Sequence, residues 1–243
     1  MMRTFFVLWK RELAAFFLSP IAYVMLMFFL LVTGCGFYWL VKENLEMAHA
    51  VQGLMVVIWA CMLIVLPILT MRTFAEERKS GTFETLMTAP VRESDIVTAK
   101  FAGVLTFFVL MCLPTLLYLL ITMKLAPETT SFDPGSVLGG YLTLGLIASA
   151  FIALGMLASA LTSNQIVAAI STFSVMSILF FGGLFEPHLS KNPMVRDIGG
   201  YLSSALHVME GARGIFDTRT LMLYLSLTVF FLFATIKAVE ARR

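Results

Sequence analysis

Residues 71–100 read MRTFAEERKSGTFETLMTAPVRESDIVTAK and lie between two long apolar stretches. Ten of the chain's charged residues, out of 17 basic and 15 acidic in all, fall in these thirty positions. Charged side chains are expensive inside a bilayer. The segment is therefore expected to stand in water, where a membrane protein can meet a soluble partner.

The flanks justify the word membrane. Hydrophobic residues make up 59% of the 243, and charged residues 13%. An ordinary globular domain has about 25% charged and about 45–50% apolar residues. A helical span needs roughly 20 apolar residues, and six such runs are present, at 20–41, 51–71, 101–123, 137–161, 166–185 and 220–236. None contains Asp, Glu, Lys, Arg or His within these bounds. Pro67 and Pro114 lie inside spans, where a kink is tolerated. The expected fold class is an all-α polytopic membrane protein: a six-span domain over 20–243, with no sizeable soluble domain.

Residues 1–19 differ. Arg3, Lys10, Arg11 and Glu12 interrupt Phe5, Phe6, Leu8, Trp9, Leu13, Phe16 and Phe17. A basic, aromatic-rich segment of this kind lies in the headgroup region as an amphipathic helix. Ser19 offers an N-cap and Pro20 a first helical position for the span that follows. No small-x-small cleavage site follows a short apolar core, so the first span is expected to remain in the mature protein.

Lys and Arg set the orientation. With the amino terminus inside, eleven basic residues (positions 3, 10, 11, 72, 78, 79, 92, 100, 237, 242 and 243) face the cytoplasm and six (42, 124, 191, 196, 213 and 219) face out. Both termini and the loop 71–100 are thus expected in the cytoplasm. Of the outer connections, 42–50 is short and 124–136 reads as a loop, with Pro127, Pro134 and Gly135. The longest, 186–219, is semi-apolar through Ile198, Tyr201, Leu202, Leu206 and Met209, which suggests short helices on or dipping into the outer leaflet.

Recognisable catalytic chemistry is missing. No G-x-x-x-x-G-K-[ST] occurs, so the chain is not expected to hydrolyse ATP. HExxH and GxSxG are absent too, and His49, His188 and His207 fall outside the spans, far apart. Cys35, Cys61 and Cys112 each sit in an apolar run and read as small hydrophobes. The net charge of +2 comes without a clustered basic face, against nucleic acid. No cofactor or metal of its own is expected. Energy comes from another polypeptide, or the protein is passive.

Within the loop, GTFETLMTA from Gly81 to Ala89 is a short helix candidate stopped by Pro90. Phe83, Leu86 and Met87 recur at i, i+3, i+4 as a one-sided apolar stripe, which can dock in a groove on a soluble partner or pack on the protein's own helix ends. Glu76, Glu77, Arg78 and Lys79 upstream read by pattern as a solvated interfacial turn. In the fourth span, Gly145, Ser149 and Ala153 follow at i+4 steps, with Gly155 and Ser159 similarly spaced. Such small residues favour close helix packing. Ser171, Ser174 and Ser177 in the fifth span either face a pore or bond their own backbone.

The stretch TMRTFAEERKSGTFETLMTAPVRESDIVTAKF resembles the loop between the second and third spans of ABC type-2 permeases. SPIAY at Ser19–Tyr23, GARGIFDTRTLMLYLSLTVFFLFATIKAVEARR at 211–243 and LTSNQIVA at 161–168 extend the likeness, which is nearest to the gliding-motility-associated branch. The resemblance implies six spans, an amphipathic N-terminal elbow helix, and two permease subunits, identical or different, assembled with two ATP-binding-cassette ATPase subunits that carry ATP and Mg. It implies that Gly81–Thr88 is the coupling helix, so that Glu76, Glu77, Arg78, Gly81, Thr82, Phe83, Glu84, Leu86 and Met87 form the partner-coupling site. A non-enzymatic permease subunit of an exporter in the bacterial inner membrane is the expected function. The alternatives are a mechanotransmission subunit acting on an extracytoplasmic partner, and a stand-alone six-span carrier or intramembrane enzyme. Phe83 stands where the family pattern leads one to expect an aliphatic residue.

Overall fold

The computed structural model of the chain describes residues 2–42, 47–81, 92–125, 133–182, 201 and 203–241. Among them the secondary structure is helical. The helices are α1 (Met2–Leu18), α2 (Pro20–Lys42), α3 (Met47–Thr70), α4 (Ala75–Lys79), α5 (Glu93–Cys112), α6 (Thr115–Leu125), α7 (Pro134–Leu161), α8 (Gln165–Gly182), α9 (Ser204–Gly211) and α10 (Thr218–Glu240).

Local chemistry explains several boundaries. Asp133 caps α7 by accepting from the Gly135 amide at 2.9 Å, with Pro134 in the first turn. Asp217 does the same for α10 through the Arg219 amide at 2.8 Å. Glu93 and Asp95 occupy the first turn of α5, where negative charge suits the helix dipole. Helix therefore begins eight residues before the expected third span. Helix α3 runs through Pro67. Pro114, which has no N–H to give, instead separates α5 from α6.

Five stretches are long and apolar enough to cross a membrane: Pro20–Lys42, His49–Lys79, Glu93–Ile121, Pro134–Leu161 and Thr218–Glu240. The expected fifth span, 166–185, falls on α8, an apolar helix described as far as residue 182; residues 183–185 lie outside the described ones. Burial sorts these helices. In the most apolar window of each, 67% of the α3 residues and 72% of the α7 residues are buried, against 22% in α2 and α10. So α3 and α7 form the core, and α2 and α10 turn most of their surface outward.

Small residues let α7 serve as that core. A methyl group built on Gly155 would lie 2.2 Å from Thr70 Oγ1, and one on Gly139 would lie 2.4 Å from the Gly211 carbonyl oxygen. Ser149 and Thr228 share a hydrogen bond of 3.0 Å between α7 and α10. Close packing thus accounts for Ser149, Gly155 and Ser159, but Gly145 faces open space. In α8, Ser171 and Ser174 donate to their own backbone, to the carbonyls of Ala168 at 3.0 Å and Ile170 at 2.8 Å.

The bundle has two ends. Helix α4, the N-terminal half of α5, the end of α7 and much of α1 meet at one, the charged end. At the other, α9 packs on the start of α7, and the His207 ring lies 3.0 Å from the Tyr224 hydroxyl at the start of α10. Since α10 runs from there past Ser149, the chain returns at Glu240 to the charged end.

Candidate functional site

The charged end is built around the turn between α3 and α4. Helix α3 stops at Thr70, and the first amides of the short α4 need acceptors. Ser159, near the end of α7, supplies one: its Oγ accepts from the amides of Phe74 at 3.1 Å and Ala75 at 3.0 Å. The same hydroxyl donates to the Met71 carbonyl at 3.0 Å. Phe74, Ala75 and Ser159 are fully buried. One serine of the core helix thereby fastens the turn that carries the charged run.

Ion pairs fasten its other side. Lys100 in α5 is 3% exposed, yet keeps its charge company. Its Nζ donates to Glu77 Oε1 of α4 at 2.7 Å and to both carboxylate oxygens of Glu12 of α1 at 3.3 Å. The ammonium also lies 5.4 Å from the centre of the Phe74 ring. Arg11 pairs with Glu12 at 2.8 Å and reaches Glu77 at 3.8 Å. Two cations thus balance two carboxylates, the condition under which charge survives burial.

Arg72 makes a second tie. It grips Glu76 in a bidentate pair at 2.7 and 2.6 Å and donates to Ser19 Oγ, between α1 and α2, at 2.8 Å. Ser19 precedes α2 as expected of a cap, and its hydroxyl accepts from the loop's Arg72. Helix α1 is seated on α5 by the Phe16–Phe107 ring stack, with centroids 5.0 Å apart, and by the Trp9 indole donating to Thr106 Oγ1 at 3.2 Å. A cavity of about 120 Å³ opens among these elements, lined by Glu12, Phe16, Ser19, Arg72, Glu77 and Lys100 among others.

Of the expected coupling residues, Glu76, Glu77, Arg78 and Gly81 are described. Glu77 is engaged as above and Arg78 is half-buried, so the picture of a solvated turn holds for Lys79 and in part for Glu76, whose paired side chain is still 43% exposed. The reason is Lys100: a buried ammonium draws Glu77 inward. Gly81, expected to open the coupling helix, follows the end of α4; the helix expected beyond it lies outside the described residues. The Gly81 φ of +73° is the left-handed conformation that glycine adopts after a helix. Thr82, Phe83, Glu84, Leu86 and Met87 lie outside the described residues.

Lys100, Glu12, Arg72 and Ser159 were not among the expected site residues. A signal for two of them existed. Lys100 stands four residues from both Ile96 and Val104, on the buried face of α5. Glu12 likewise sits midway between Leu8 and Phe16, both packed against the core. A charge at a core position of an amphipathic helix implies a buried partner. Among the described residues no group of three or more His, Cys, Asp or Glu is placed to hold a metal. What this geometry can do is mechanical: it joins the two ends of the segment 82–91 to α1, α5 and α7.

A family model described as ABC-2 family transporter protein matches residues 41–236, and the chain belongs to that family. No curated protein matches it. Membership and the apolar helices together make it a multi-pass membrane permease of an ABC transporter.

Proposed function

We propose that this permease is the membrane-spanning half of an exporter driven by ATP hydrolysis on a separate ATP-binding-cassette subunit. That subunit carries ATP and Mg and docks on the segment around Phe83, Leu86 and Met87. Helix α8 supplies the fifth of six spans, α1 serves as the elbow helix, and the termini lie on the cytoplasmic side of a bacterial inner membrane. A second permease subunit completes the assembly. Within the family the motifs 19–23 and 211–243 align it with the gliding-motility-associated branch.

One observation carries this reading. The segment that would bind the partner is held on both flanks by buried contacts, Glu77 before it and Lys100 after it, 2.7 Å apart. A displacement of the segment therefore pulls on α1, α5 and, through Ser159, α7. A ligand shifts a conformational equilibrium only by its differential affinity for the two states. Here ATP on the partner is that ligand, and the segment conveys the shift.

The test is the double substitution Phe83→Asp with Leu86→Asp. Burial of a Phe or Leu is worth roughly 1.5–3 kcal/mol each. Losing both removes at least about 3 kcal/mol, or about a hundred-fold in affinity. Pull-down of the ATP-binding subunit and its ATPase activity are both expected to collapse, with membrane insertion intact. Undiminished recovery and turnover at equal expression would overturn the docking assignment.

A further inference from the structure

A second cavity, of about 320 Å³, lies away from the charged end, between the α5–α6 break and the first three turns of α7. This is within the ~300–1,000 Å³ range of small-molecule sites. Phe108, Val137 and Leu144 on its lining are buried, whereas Val109, Leu113 and Leu138 at its rim are exposed. The cavity is thus a dent with a mouth on the flank of the bundle. Phe108 stands fifteen residues beyond Glu93, about 22 Å along the helix at 1.5 Å per residue. Both walls belong to membrane-crossing stretches, so the mouth opens onto hydrocarbon.

Water is a poor occupant. A buried water needs two to four polar partners. The hydroxyl on this lining, that of Tyr141, is already hydrogen-bonded to Thr115, whose own Oγ1 also bonds the Cys112 carbonyl. An empty dent would strip its walls of dispersion contacts. Gly145 enlarges the space further, because a methyl group built on it meets nothing within 4 Å. Leu117 and Leu120 of α6 and Leu142 of α7, on the elements that form the cavity, are exposed as well.

We infer that this cavity binds one hydrocarbon chain of a membrane phospholipid, laid along α7 between Pro134 and Gly145 and ending against Phe108 and Leu144. The headgroup lies at the Pro134 end, where α7 begins. The inference goes beyond the transport reading and does not depend on it; it requires only that α5, α6 and α7 cross the bilayer. The bound chain fills the break that Pro114 introduces.

The test reconstitutes the full chain in phosphatidylcholine vesicles carrying a photoactivatable diazirine on one acyl chain, and maps the labelled peptides. Peptides covering residues 108–116 and 137–145 are expected to label several-fold above the exposed Phe230–Phe233 face of α10. Gly145→Phe, which fills the cavity, is expected to remove that excess and leave α10 labelling unchanged. Should Gly145→Phe fail to fold, Leu138→Trp at the exposed rim narrows the mouth and is expected to do the same. Labelling equal to that of α10, or an excess insensitive to the variant that folds, overturns the inference. So does a Leu138→Cys variant that crosslinks quantitatively to a second copy, because the mouth would then be closed by protein.

Discussion

Replacing Lys100 by Met tests whether the charged end is one mechanical unit. Methionine keeps length and apolar volume and removes the charge. Glu12 and Glu77, with side chains 15% and 20% exposed, would then share Arg11 alone. Removing one partner of a buried ion pair costs about 3–5 kcal/mol. The structure argues for the lower end, because Arg11 stays 2.8 Å from Glu12 and the carboxylates keep some contact with water. A loss of about 3 kcal/mol is therefore expected, which for a chain of this size lowers Tm by roughly 6–12 °C. Replacing a whole buried pair by apolar or neutral groups is often harmless, so Lys100→Met with Glu77→Gln should recover most of that loss. The assay is thermal unfolding in detergent of wild type, both single variants and the double variant, read as a double-mutant cycle. Additive losses, with no coupling between positions 77 and 100, would refute the reasoning. They would leave α4 held by Ser159 and by the Arg72–Glu76 pair.

Further outcomes follow from the packing and the charge pattern. Gly155→Ala, whose new methyl would meet Thr70, is expected to cost about 1–3 kcal/mol, whereas Gly145→Ala, facing open space, should be neutral or stabilising in the same melt. Burial holds His207 below its usual pKa, with Glu210 and Asp217 opposing less strongly; its share of stability is therefore complete above the unfolded value of about 6.5 and is lost as pH falls through the lower folded value. Melts from pH 8 to 5 should show that decline, and His207→Asn should flatten it. In a Cys-free background, Ser80→Cys should label only from the cytoplasm and Ser131→Cys only from outside, and the reverse would overturn the orientation.

Much of this architecture was legible because its signals are local. Apolar runs free of charge announced the membrane helices, while Pro114, read as a tolerated kink inside one span, in fact separates two helices. Gly155 and Ser159 announced close packing at the end of α7. The charged run 71–100 stood out by composition. Its internal wiring did not, because Lys100 meets Glu12 across 88 positions and the Phe74 amide meets Ser159 across 85. Pairings of that separation follow from which helix lies beside which, and periodicity within one helix does not contain that information. Glu77 illustrates the limit. Beside Glu76, Arg78 and Lys79 it looks like one more solvated charge, and its different fate is decided by an ammonium on another helix. Gly81 reads in sequence as the start of a helix; its left-handed backbone directly after Ser80 shows that it also ends α4.

The partnering of α7 with α10 bears on how the protein is made. Synthesis runs from the amino end, so α7 exists before α10 has left the ribosome. Until then Ser149 lacks Thr228, whereas Gly139 can already meet Gly211 of α9, which precedes α10 in the chain. Helix α1 waits in the same way for Lys100 and Phe107 of α5. Both long-range joints close behind the growing chain, so the nascent intermediate carries an α7 face without α10 and, earlier, an α1 without its α5 partners. A subunit stalled before Thr218 would keep the α7 face around Ser149 without its α10 partner.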